Sequence, residues 1–165
     1  MPEDNTDDTS KLDIEISVEG GDWASEDELY ALASRAIHAA MSEVTDIEEG
    51  QTVSLLFTDD ESIRDLNARF RDKDKPTNVL SFPGPEGSQM PGIPPHFGDI
   101  ALAYETIARE AEAEGKSFEH HLTHLIVHGF LHLAGYDHIE PEEAEEMEDL
   151  ERIILRGLAI SDPYD

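Results

Sequence analysis

The sequence predicts an α+β fold close to the α/β type: a small, mostly parallel mixed four-stranded sheet packed with about five helices, a histidine-rich helix at its centre. Three observations predict it. Leu12, Ile14, Ile16 and Val18 alternate with Asp13, Glu15, Ser17 and Glu19, the period of a half-buried strand. Strand-like and helix-like stretches then alternate up to Ala103. Beyond residue 104 only helical periodicities remain, so helices must cover a sheet made by the first two thirds of the chain.

Taken in order, residues 1–10 carry almost no apolar side chains and read as a disordered acidic tail, leaving 11–165 as one domain. Ser25 and Glu28 form a capping box, and the helix behind it turns Leu29, Leu32, Ala33, Ala36, Ile37, Ala40 and Met41 inward. A second strand spans Thr52 to Phe57. Thr58 and Glu61 repeat the capping pattern, opening a helix with Ile63, Leu66 and Phe70 inward. Asn78 to Phe82, bounded by Pro76 and Pro83, reads as the third strand. Residues 83–98 hold five prolines and four glycines and read as irregular. Asp99 to Ala103 is a short fourth strand, and Tyr104 to about Glu114 a helix stopped by Gly115. Ser117 caps the histidine helix, whose other face carries Leu122, Leu125, Ile126 and Phe130. Pro141 suits the first turn of a last helix with a stripe of Met147, Leu150, Ile154 and Leu158.

A chain of 165 residues suits one domain with a core of its own. With no cysteine it has neither disulfides nor thiolate metal ligands. No basic and apolar leader and no long apolar run is present, so a cytoplasmic protein without membrane contact is expected. Thirty-nine acidic residues against 11 basic ones give a formal charge of −28, a surface that repels itself at low salt and suits a salty cytoplasm.

Chemistry concentrates in His128-Gly-Phe-Leu-His132-Leu-Ala-Gly135-Tyr-Asp-His138. Two histidines four apart share one face of a helix. Gly135 permits a left-handed reversal that would bring His138 back toward them. Three imidazoles leave the fourth position of a tetrahedral zinc ion open, as in catalytic rather than structural sites. The spacing is that of the metzincin proteases, but their catalytic Glu is replaced by Gly129, which disfavours peptide hydrolysis. Gly129 is instead expected to leave room for substrate. His120, His121 and His124 read as helix-surface residues, with His124 also a neighbour of His128.

The positive charge is local. Arg64, Arg69, Arg71, Lys73 and Lys75 place five of the 11 basic residues within twelve positions, with Asp65, Asp72 and Asp74 between them. A chain hostile to polyanions needs such an exception to hold a phosphate backbone. A solvated helix end with ion pairs would carry the same charges.

The His128–His138 stretch resembles the motif of the YbeY family of bacterial endoribonucleases. Phe70-Arg71-x-x-Asp74-Lys75-Pro76-Thr77-Asn78-Val79-Leu80-Ser81-Phe82-Pro83 is similar to that family's second block, and Gly98-Asp99-Ile100 to a shorter third. The resemblance covers roughly residues 52–158. It implies a single-strand-preferring endoribonuclease in ribosomal RNA processing, at the small subunit's 3′ end, and in ribosome quality control. It implies one zinc ion per chain on His128, His132 and His138, and a functional role for Arg71. Expected partners are single-stranded RNA, ribosomal RNA and small-subunit proteins of the ribosome; DNA is not expected. Where the family often has Asp, this chain has Asn78, which puts a role for that carboxylate in doubt.

Ligands of this type lower the pKa of a bound water from about 16 toward 7. Arg71 would hold phosphate oxygens in its planar fork, with Arg69, Lys73 and Lys75 as further substrate contacts. Asp137 would orient a ligand imidazole or take a proton, with Asp99 a weaker candidate and Tyr136 a packing residue. The alternatives are a zinc-stabilised ribosome-assembly factor with little catalysis and a metalloprotease-like hydrolase.

Overall fold

A computed structural model of the chain describes residues 12–44, 50–83, 96–136 and 140–158. The expected tail, most of the proline- and glycine-rich stretch, and residues 137–139 lie outside them. The described elements are β1 (Leu12–Glu19), α1 (Glu26–Met41), β2 (Gln51–Thr58), α2 (Asp60–Arg71), β3 (Val79–Pro83), β4 (His96–Ala103), α3 (Tyr104–Glu114), α4 (Phe118–Leu133) and α5 (Pro141–Gly157). The strands form one sheet in the order β1-β2-β4-β3. β1, β2 and β4 are parallel, and β3 runs antiparallel to β4. This is the mixed, mostly parallel α+β fold the sequence predicts.

One face of the sheet carries the main core. Val53, Leu55, Phe57, Ile100 and Leu102 meet Leu29, Ala33 and Ile37 of α1, Leu122, Ile126 and Phe130 of α4, and Met147 and Ile154 of α5. The histidine helix α4 is central, packed against α1, α3, α5, β3 and β4. On the other face α2 covers a smaller cluster of Ile63, Leu80, Ala101 and Ala103. Trp23 closes one end, its indole donating to the Thr58 carbonyl at 3.1 Å among Phe57, Tyr104 and Phe118.

Four local expectations need correction. β4 begins at His96 and β3 runs to Pro83, because His96 finds a backbone partner in Thr52, and Gly98 finds Val53 on one side and Pro83 on the other. The cap of α2 is Asp59, whose Oδ1 accepts from the Ser62 amide at 2.8 Å. Thr58 stays in β2 and donates its hydroxyl to the Glu19 carbonyl at 2.7 Å. Phe70 is 60% exposed, resting edge-on against Phe82 of the edge strand β3, while Asn67 takes the buried position one turn earlier. In α5 the buried stripe is Met147, Glu151, Ile154 and Leu155, with Leu150 and Leu158 only half-buried.

Candidate metal centre and RNA cleft

α4 forms because Ser117 caps it, accepting from the His120 amide at 3.0 Å, and because its apolar positions recur at helical spacing. It ends in two reversed hydrogen bonds. The Gly135 amide donates to His132 and the Tyr136 amide to Leu131, each at 3.0 Å, with Gly135 at φ +107°. That closure needs a left-handed residue, and glycine takes it without a Cβ clash. It turns the chain off the helix just before residue 137, as the spacing predicts. His138 and Asp137 themselves lie outside the described residues.

Down one side of α4 run His121, His124, His128 and His132. Their ring centroids step by 6.2, 6.3 and 4.7 Å, the closest pair being His128 and His132. His121 and His124 are not surface residues as expected. Each is drawn inward by a carboxylate from a flanking helix. Glu110 of α3 meets His121 Nε2 at 2.8 Å and also accepts from the Asn78 amide at 3.0 and 3.3 Å. Glu151 of α5 meets His124 Nε2 at 3.0 Å and His128 Nδ1 at 2.5 Å. His120 faces solvent as expected.

Glu151 is the residue the sequence reading missed. Its side chain is fully buried, which carboxylates avoid unless partnered. A signal was present: Glu151 sits four residues after Met147 and three before Ile154, a charge inside an apolar stripe.

The four histidines line a cleft of about 880 Å³, together with Arg71, Thr77, Asn78, Ser81, Glu110, Glu114, Lys116 and Tyr136. Arg71 ends α2 and reaches across to donate to the Ser81 carbonyl, its guanidinium 5.0 Å from the Phe82 ring centroid. The left-handed Asp72 (φ +59°) turns the chain away directly after it. Lys116 enters from the α3–α4 turn and holds the Glu114 carboxylate below its usual range by a 2.9 Å ion pair.

The rest of the basic stretch stands outside the cleft lining. Arg69 pairs with Asp65 at 3.4 Å, Arg64 pairs with Asp74 at 2.8 Å, and Lys73 and Lys75 are exposed on the turn after α2. Asp99, named as a proton acceptor, points to the opposite face of the sheet, into a groove with Ser17, Glu19 and Ser54. Strand alternation sends it there, because Ile100 faces α4.

Gly129 does not open space for a substrate. A Cβ at that position would sit 3.1 Å from both Ile100 Cγ2 and Ser81 Oγ, so the glycine allows close contact between α4 and the sheet.

Among the described residues no group of three His, Asp or Glu side chains is arranged to hold an ion. Two of the three expected ligands, His128 and His132, are described and adjacent. The donor set fits zinc: imidazoles rather than hard oxygens, no thiolate in the chain, and one ring backed by a carboxylate on Nδ1 so that Nε2 is its other edge.

Among the described residues no helix is long and apolar enough to cross a membrane. Residues 15–159 match the family profile described as Endoribonuclease YbeY. The Endoribonuclease YbeY of Chelativorans sp. strain BNC1 is 64% identical over 151 residues, covering 92% of each chain. That of Sinorhizobium fredii is 56% identical over 162 residues, covering 93% of this chain and 92% of the relative. The solution structure of TM1509 from Thermotoga maritima superposes with a TM-score of 0.54 at 26% identity, over 91% of this chain and 99% of the other.

Proposed function

This chain belongs to the YbeY family of endoribonucleases, and from that premise we propose that it is a zinc-dependent enzyme cleaving single-stranded RNA, acting in maturation of the small-subunit rRNA 3′ end and in ribosome quality control. The observation that carries the proposal is the His128–His132 pair, rings 4.7 Å apart, on the wall of a cleft that Arg71 also lines. His128, His132 and His138 would hold the ion, the last from sequence spacing and family resemblance. A bound divalent cation supplies Lewis acidity, making water more acidic and stabilising charge on a phosphoryl oxygen.

The chain's own residues supply binding. Arg71 is braced on the Ser81 carbonyl and the Phe82 ring, so its guanidinium keeps one position from which to take a phosphate's oxygens. Lys116 offers a second cation at the cleft wall, while Arg69, Lys73 and Lys75 flank the Arg71 side and would follow the RNA outward. Against a net charge of −28 these positions confine a polyanion to this side of the molecule. Proteins of the small ribosomal subunit are the partners proposed for presenting the RNA.

The test is cleavage of an end-labelled single-stranded RNA by the zinc-loaded protein and by His128→Ala, with circular dichroism as the folding control. Loss of cleavage in a folded variant supports the enzyme. Undiminished cleavage removes His128 from the reaction, and a folded wild type that binds RNA without cutting it makes the chain an assembly factor instead.

A further inference from the structure

The buried carboxylate of Glu151 has no part in the reading above, and its geometry assigns it one. Both oxygens are committed to α4: Oε1 to His124 Nε2 at 3.0 Å and Oε2 to His128 Nδ1 at 2.5 Å. An ionised carboxylate only accepts hydrogen bonds, so each of those ring nitrogens carries the hydrogen. For His128 that fixes the tautomer with Nδ1 protonated and the Nε2 lone pair on the opposite edge of the ring. Glu151 itself is fully buried in the stripe of Met147, Ile154 and Leu155. It therefore makes these contacts from within the packed interior.

We infer that Glu151 is the positioning residue for cation binding: it locks His128 in the ligating tautomer and orientation, using His124 as the second anchor that keeps the carboxylate in place. This rests on the reading of His128 as a metal ligand. A carboxylate behind a ring nitrogen is a partnership that recurs behind histidine ligands of metal sites. His124 is then a brace, its Nε2 spent on Glu151.

The test compares zinc affinity of the full-length wild type, Glu151→Gln and His128→Ala, by competition with a chromophoric chelator. Glu151→Gln keeps the volume, removes the charge and replaces one of the two accepting oxygens with a donor amide. It is expected to bind zinc about 10- to 100-fold more weakly, the range typical of lost partners behind ligands. The second measurement needs no variant. In zinc-loaded wild-type protein with ¹⁵N-labelled histidine, the His128 resonances are expected to show Nδ1 protonated and Nε2 bound to the metal. Zinc affinity unchanged in Glu151→Gln, or a His128 bound through Nδ1, overturns the inference while leaving the metal site standing. Unchanged affinity in His128→Ala overturns the ligand reading itself, and the inference with it.

Discussion

Adding one methyl group at Gly129 tests how closely the histidine helix is set against the sheet. An alanine in mid-helix is favoured over glycine by about 1 kcal/mol on intrinsic propensity, so Gly129→Ala would stabilise an unconstrained helix. Here the new Cβ would lie 3.1 Å from Ile100 Cγ2 and 3.1 Å from Ser81 Oγ, some tenths of an ångström inside the ~3.5–4.0 Å at which carbon atoms pack. Ile100 is fully buried in β4, between β2 and β3, and has no room to retreat. Moving α4 outward instead stretches the 3.2 Å hydrogen bond from Ser81 to the Gly129 carbonyl. Overpacking of this kind costs roughly 1–3 kcal/mol, so the expected net is a loss of up to about 2 kcal/mol. In a chain of this size that is a fall in Tm of up to roughly 8 °C. Urea unfolding at 25 °C, followed by the fluorescence of the single tryptophan, Trp23, measures it directly. A variant more stable than the wild type by about 1 kcal/mol would refute the close-approach argument, since propensity alone predicts that gain.

Two further substitutions probe the cleft. Arg71→Lys keeps the charge but loses the planar fork and the stacking on Phe82; kcat/KM on single-stranded RNA is expected to fall about tenfold, some 1.4 kcal/mol, with Tm hardly moved. An unchanged kcat/KM removes Arg71 from substrate binding. Asn78→Asp, the residue common in the family, replaces an amide donor with a second carboxylate against Glu110, where the present contact is 3.0 Å. Losing a hydrogen bond to a charged group is expected to cost about 1.5–3 kcal/mol, read by the same urea titration, and a neutral result would show that the Asn78–Glu110 contact contributes nothing.

What was legible in the sequence was whatever depends on local periodicity and caps. Ser25, Ser117, Gly115 and Pro141 each stand at a helix terminus where their chemistry puts them, and the alternation of Leu12 to Val18 marks β1. The turn at Gly135 was legible for the same reason, being set by six consecutive residues, Leu131 to Tyr136. What escaped depends on contacts between distant segments. β4 takes in His96 and Phe97 because strands far along the chain offer them partners, against the composition of their neighbourhood. Phe70 stays outside because β3 is an edge. His121 and His124 looked like surface histidines until Glu110 and Glu151 arrived from other helices, and neither pairing has a signature in spacing. Gly129 was read for what it lacks, a side chain, and on the wrong side of the helix. Asp99 was read without its strand's alternation.

The carboxylate behind His128 comes from α5, a helix that follows the histidine helix in the chain and so leaves the ribosome after it. During synthesis the sheet and the histidine helix are finished before Glu151 exists, so an emerging chain carries His124 and His128 without the carboxylate they share. A protein cut short before residue 151 would keep His128 and lose the carboxylate that orients it.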